Sequence, residues 1–464
     1  MQLNRLTLNH FRVFDQAEFE FQPGMNLLVG INGAGKSTVL DALRIILSKI
    51  LPLITASKNK PLFSGVDDIT IDSDWLYTSI ELQVADQQLG YEVREWREKY
   101  DTDNAKDGGV YDKVDRQEDI HRSRHIIEIP ESINILQKDE PERFTQERVK
   151  YIEQQEDTLK RLKFATEQPL AVYFSTRRSI ASMASVKKAR TVGGQASAFA
   201  EGLISRELRV REFAHWWLVQ EALARESTNA LALNHLNSLQ SAVLSFIDGC
   251  TNFRAIRNPE PTLVIDKTAK TLEVRQMSDG ERSMLALTLD LARRLSVANP
   301  KLTDPLRDGK AVVLIDELDL HLHPRWQREI VDKLTRTFPN CQFIATTHSP
   351  QIVGEVSPDN IIMIEDGQAY RPDQSLGMDT NWILRHLMGV DERDAETTAE
   401  LERIEALIED EAYAEATAAI DTLRRAVGEF PELVGLQTRI DMIIFLSEQL
   451  DDEDINEEDS EDEE

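Results

Sequence analysis

One nine-residue stretch constrains this chain more than any other. Gly30-Ile31-Asn32-Gly33-Ala34-Gly35-Lys36-Ser37-Thr38 follows an apolar run, Met25-Asn26-Leu27-Leu28-Val29. It precedes a segment with Val39, Leu40, Leu43, Ile46 and Leu47 at helical spacing. The stretch satisfies G-x-x-x-x-G-K-[ST], and strand, loop and helix stand in the order that pattern needs. That context weighs against a chance glycine turn. Glycines let backbone N–H groups wrap phosphates, and the helix start adds the positive end of its dipole. Gly30, Asn32, Gly33, Ala34, Gly35, Lys36, Ser37 and Thr38 are therefore expected to hold a nucleotide. Lys36 should reach the β- and γ-phosphates, and the Ser37 hydroxyl should bind Mg²⁺.

A second stretch completes the chemistry. Val312-Val313-Leu314-Ile315-Asp316-Glu317 is an apolar strand ending in two carboxylates. A buried strand tip is where a nucleotide-cleaving site holds its metal, so Asp316 is expected to support Mg²⁺. Glu317 points the other way on an extended chain and can orient or deprotonate the attacking water. Adjacent acids are common in turns, and the pair gains its meaning from the phosphate loop.

Two further segments fit the same plan. Met277-Ser278-Asp279-Gly280-Glu281-Arg282 opens a helix carrying Met284, Leu285, Leu287, Leu289 and Leu291. Serine and glycine at a helix start form a cap and an anion site together. Phe343-Ile344-Ala345-Thr346-Thr347-His348-Ser349-Pro350 puts a histidine just past a predicted strand. With these motifs in this order, the chain resembles the ABC-type ATPase superfamily. The resemblance implies ATP as substrate and a signature, Ser278, Gly280 and Glu281, that completes the site of another subunit. It also implies that His348 acts on the γ-phosphate and water, and that Asp319 lies in a loop along a dimer interface. His10-Phe11-Arg12-Val13-Phe14 is similar to the N-F-R-x-F segment of RecF-like and SMC-like ATPases, with His10 replacing the usual Asn. There Arg12 would lie near the nucleotide. A glutamine loop is expected after a lobe I strand, but the stretch in that place, Phe174-Ser175-Thr176-Arg177-Arg178, has no glutamine. His321 and His323 suggest a metal pair, against which stands the lack of a third ligand.

The expected fold class is α/β: a two-lobed ABC-type, phosphate-loop ATPase head with helical insertions and a C-terminal helical extension. Residues 1–97 form the N-terminal part of lobe I, with strands in 2–29 and 78–97. Residues 98–165 read as a charged insertion, partly helical and partly loop. Residues 166–250 return to lobe I through Leu170–Phe174 and then turn helical. Residues 251–375 form lobe II, 376–450 are helical, and 451–464 are a disordered acidic tail.

Charge is uneven along the 464 residues. There are 53 basic and 82 acidic residues, a net of −29. The last 74 residues carry −22 of it, and the final 14 hold 11 acids and no base. The tail reads either as a solubiliser or as a nucleic-acid mimic. Residues 177–211 run the other way, at +6, through Arg177, Arg178, Lys187, Lys188, Arg190, Arg206, Arg209 and Arg211. They could follow phosphates or form a solvated helix face. The acidic average excludes a uniformly basic coat protein and a polybasic membrane binder. Two cysteines cannot build a disulfide framework, and no apolar run approaches a membrane span, so a cytoplasmic protein is expected.

Among branches of the superfamily, the 241 residues between Lys36 and Ser278 leave no room for SMC-length coiled coils. OLD nucleases add a Toprim domain, and no strand-borne acid cluster stands where one would sit. The H-L-H-P string at 321–324, Leu170–Arg178 and Gly377-Met378-Asp379-Thr380-Asn381-Trp382-Ile383-Leu384 look most like anti-phage defence ATPases. These are the Septu ATPase (PtuA), also used in retron systems, and the AriA ATPase of PARIS. The resemblance implies a homo-oligomer, at least a head-to-tail dimer, and a separate effector nuclease of HNH or Toprim type. It leaves room for a nucleic-acid or phage-derived trigger. The alternative is a RecF- or SMC-like DNA-repair ATPase without a dedicated nuclease.

Overall fold

The computed structural model describes residues 1–97, 120–128, 158–178, 194–204, 208–226, 230–257, 260–268, 270–390 and 393–461. The strands are β1 (Gln2–Phe11), β2 (Phe14–Glu20), β3 (Met25–Val29), β4 (Trp75–Val84), β5 (Gln87–Arg97), β6 (Ile120–Glu128) and β7 (Leu170–Phe174). They continue as β8 (Cys250–Arg257), β9 (Pro261–Lys267), β10 (Lys270–Glu273), β11 (Ala311–Ile315), β12 (Cys341–Thr346), β13 (Ile361–Glu365) and β14 (Gln368–Tyr370). The longer helices are α1 (Lys36–Ile54), α2 (Val210–Glu226), α3 (Ala230–Phe246), α4 (Asp279–Ala298) and α5 (Pro324–Thr337). After them come α6 (Thr380–Leu387), α7 (Ala395–Glu409), α8 (Tyr413–Val427) and α9 (Pro431–Glu461).

The central sheet has the order β14-β13-β3-β12-β11-β7, and its pairs are parallel except β13 with β14. Every residue of β3, β11 and β12 is buried, as expected for parallel strands covered on both faces. The segments that the sequence divides between two lobes interleave here: β3 sits between β12 and β13, whose residues lie more than 300 positions later.

A second sheet, β2-β1-β4-β5-β6, is antiparallel. Leu3 and Leu6 are both fully buried although their parity differs. A bulge between Leu3 and Arg5 in the β1–β4 ladder resets the alternation. Between the two sheets α1 buries Val39, Leu40, Leu43, Ile46 and Leu47, in one core with Leu28 of β3 and Ile80 of β4. A third, smaller sheet has the order β10-β9-β8.

One expectation needs correction. The charged insertion contains a strand: β6 pairs with β5 along its length. Its segment, Ile120-His121-Arg122-Ser123-Arg124-His125, lacks apolar alternation, which is ordinary for the edge position it occupies. Helix α9 runs past Asp451 to Glu461. Extending an existing helix avoids the cost of nucleation, and glutamate is a good helix former. Lys187, Lys188, Arg190 and Arg206 of the basic stretch lie outside the described residues.

The chain divides into two compact units, Met1–Ile383 and Leu384–Glu464. The second has its own core, with Ile404 and Ile408 of α7, Ala416 and Ile420 of α8, and Leu433 and Ile440 of α9. Among the described residues, no helix is long and apolar enough to cross a membrane.

Candidate nucleotide site

Parallel strands bring their C-terminal ends to one edge of a sheet, where ligands of open α/β folds bind. Here β3 ends in the phosphate loop, β11 in Asp316 and Glu317, β12 in Thr347 and His348, and β7 in Ser175 to Arg178. The motifs meet because the strands that carry them are neighbours.

The phosphate loop turns through left-handed glycines, Gly33 at φ +85° and Gly35 at φ +106°. At Gly35 a side chain is excluded twice, since a Cβ would also lie 2.6 Å from the Phe14 ring. Gly35 precedes α1 and supplies no side-chain cap, so the first N–H groups of the helix are left for an anion. Asn32 and Gly33 are exposed, and Ala34 and Thr38 lie deeper. The Lys36 ammonium donates to the carbonyls of Gly30 and Ile31, at 2.8 Å each. Burial lowers its pKa, and outweighs the opposing pull of Asp316, Glu317 and Asp319.

Ser37 Oγ donates to Asp316 Oδ1 at 3.2 Å, and Thr346 Oγ1 donates to the same oxygen at 2.8 Å. The Glu317 N–H donates to Thr346 Oγ1 at 2.7 Å. Thr346 thus fixes both acids from the neighbouring strand. Glu317 itself sits in the left-handed region, at φ +50°. Asp319 Oδ1 accepts from Thr347 Oγ1 at 2.6 Å and from the His348 N–H at 3.1 Å. In this chain Asp319 therefore ties down the turn that carries His348, whose side chain is exposed.

Arg12 lies against the helix of the phosphate loop. Its Nε donates to Asp68 Oδ1 at 2.7 Å and its Nη1 to Asp41 Oδ2 at 2.9 Å. Burial opposes its charge, but the two carboxylates prevail and raise its pKa. Asp41 also holds Arg44, which covers the Tyr173 ring at 4.1 Å.

The signature residues form a second hydrogen-bonded cluster. Ser278 caps α4, and Glu281 Oε2 accepts from the Ser278 N–H at 3.0 Å and from its hydroxyl at 2.8 Å. Glu281 also pairs with Lys267 of β9. Burial would raise the Glu281 pKa, but Lys267 and Ser278 hold it below the ordinary value. A Cβ on Gly280 would lie 2.5 Å from the His321 carbonyl, so the start of α4 rests on the chain just beyond Asp316 and Glu317. His323 caps α5 through its Nδ1, which accepts from the Arg325 N–H at 3.3 Å.

Sequence reasoning missed Thr346, Asp41, Asp68 and Lys267. The pair Thr346-Thr347 immediately before His348 was the readable sign: hydroxyls at a strand end beside acids. The other three carry no motif. The stretch after β7 was singled out for its place, and there Arg178 donates to the carbonyls of Asp316, Glu317 and Leu318.

Residues 1–353 match the AAA ATPase domain family (AAA_15), and the chain belongs to that family. It is an ATPase of α/β fold built around a phosphate loop. Its relatives include a protein of Escherichia coli named "Retron Ec83 probable ATPase", 29% identical over 457 residues, 89% of this chain and 81% of that protein. The Septu protein PtuA of Bacillus mycoides (strain KBAB4) is 38% identical over 95 residues, 20% of this chain and 13% of its own. Among solved structures, an SMC head bound to the C-terminal winged-helix domain of ScpA superposes with a TM-score of 0.44 at 16% identity, over 81% of this chain and 99% of its own.

Proposed function

We propose that this chain is the ATP-hydrolysing subunit of an anti-phage defence system and that its nucleotide state controls a separate effector nuclease, of HNH or Toprim type. The observation that carries the chemistry is the contact between Ser37 and Asp316, with Lys36 and Glu317 beside it. The likeness to retron and Septu proteins supports the setting.

In this reading the phosphates lie along the N–H groups of Gly30–Thr38, and Lys36 exchanges its loop carbonyls for the γ-phosphate. Ser37 and Asp316 offer hard oxygen donors side by side, which suits Mg²⁺ with waters filling its remaining positions. When bound, Mg²⁺ would neutralise charge on the β- and γ-oxygens. Glu317 aligns the attacking water and takes its proton, and His348 steadies the γ-phosphate. Arg12 stands beside α1 at the nucleotide's flank. Ser278, Gly280 and Glu281 of a second copy close the site in trans, with Asp319 near the seam, so the active form is at least a dimer.

The test is Glu317→Gln. It should accumulate an ATP-bound dimer, seen by light scattering on a sizing column; turnover at the wild-type rate would sink the catalytic assignment. Lys36→Ala should abolish nucleotide binding by calorimetry. The protein free of partners should leave DNA intact, and a nuclease should co-purify from native extract.

A second reading is a repair ATPase of RecF or SMC type, favoured by Arg12 in a turn seated against the phosphate loop. Strong stimulation of ATP hydrolysis by bare DNA, with no nuclease partner, would select it.

A further inference from the structure

Arg178 lies four residues past the end of β7, an edge strand of the central sheet. It is 5% exposed. Its Nη1 donates to the Asp316 carbonyl, and its Nη2 to the Glu317 carbonyl and, at 3.3 Å, to the Leu318 carbonyl. Nη1 also reaches the Ser175 carbonyl at 3.4 Å, which closes the fork onto its own turn. Burial pushes this guanidinium down to about 10, against the pull of Asp319, Asp316 and Glu317. Three carboxylates lie within its field, yet these hydrogen bonds go to main-chain oxygens.

The gripped segment needs such a hold. Glu317 is in the left-handed region at φ +50°, where a residue with a side chain persists only if its surroundings insist on it. Its N–H is fixed by Thr346 Oγ1 on one side. Its carbonyl is fixed by Arg178 on the other. A planar fork with five donors can bridge successive carbonyls, whereas a lysine ammonium is a point charge without that geometry.

We infer that Arg178 is a positioning residue for hydrolysis: its fork on the carbonyls of residues 316–318 sets the turn that holds the Glu317 carboxylate in place for the attacking water. The inference rests on the reading of Glu317 as the water-aligning base. It assigns a task to the place where a glutamine loop was expected, and the task is carried out through the main chain.

The experiment compares Arg178→Lys and Arg178→Ala, each alone and combined with Glu317→Gln. Folding is followed by circular dichroism, binding with a fluorescent ATP analogue, and turnover by phosphate release. Both single variants should bind nucleotide within about threefold of wild type and lose roughly 30-fold or more in kcat. In the Glu317→Gln background, adding either change should alter the residual rate by less than about threefold, because the group being positioned is gone. Wild-type kcat in Arg178→Lys would overturn the inference, since charge alone would then suffice. So would additive losses in the double variants, a loss of affinity that matches the loss of rate, or unfolding of both single variants. If Glu317→Gln alone turns over normally, the catalytic reading fails, and this is visible whatever Arg178 does.

Discussion

The Ser37 hydroxyl and the Asp316 carboxylate meet at 3.2 Å although 279 positions separate them in the chain. One sits at the first turn of α1 and the other at the tip of β11, and β12 stands between their strands. Thr346, from the end of β12, donates to the same Asp316 oxygen. The proposed metal position thus draws on three neighbouring elements of one sheet edge.

Ser37→Ala and Asp316→Asn should therefore fail in the same way. Each should lower kcat by about 100-fold or more while leaving metal-free nucleotide binding nearly intact. Titration of ATP by calorimetry with and without Mg²⁺ checks this: the gain in affinity from the metal should shrink in both variants.

Gly280→Ala tests the seat of the signature helix. The added Cβ falls 2.5 Å from the His321 backbone carbonyl, which cannot swing aside as a side chain would. A cost of about 1–3 kcal/mol is expected. Denaturant unfolding should show it, and ATPase activity should drop more than stability does, because the displaced chain leads back to Glu317.

The ion pair of Lys49 with Glu95 lies at 3.0 Å with side chains 1% and 0% exposed. Lys49→Met would remove the ammonium that lies 3.0 Å from a buried carboxylate and should cost about 3–5 kcal/mol. Replacing both residues with apolar ones of similar volume should recover most of that loss. Midpoints of urea unfolding for the two variants decide the matter, and equal midpoints would refute it.

Glu281 gives a prediction in pH. Its folded pKa lies below the ordinary 4.5, so its ionised form stabilises the fold above that value. The stability gap between wild type and Glu281→Gln should be steady above pH 4.5. It should shrink as the pH falls through the depressed folded value. A gap that widens on acidification would contradict the cluster with Lys267 and Ser278.

Much of the site was legible because its parts are local. A glycine loop between a strand and a helix, acids at the end of an apolar strand, and a serine three positions before a glutamate each announce themselves within a few residues. The fully buried strands β3, β11 and β12 read as short apolar runs for the same reason. What did not show was pairing over distance. No local pattern says that β3 lies between β12 and β13, or that Asp41 and Asp68 share Arg12. Strand β6 escaped notice because an edge strand needs no apolar face. Arg178 was visible as a residue, but its bond to the Glu317 carbonyl involves main-chain atoms that every residue has.

The interleaving of the central sheet bears on synthesis at the ribosome. Strand β3 emerges early, yet both of its partners lie beyond residue 340. The phosphate loop's strand therefore has no partner in the central sheet until about three-quarters of these 464 residues have been made, and lacks its second until nearly four-fifths. A nascent or truncated product ending before β13 would lack a complete nucleotide pocket, however intact its phosphate loop.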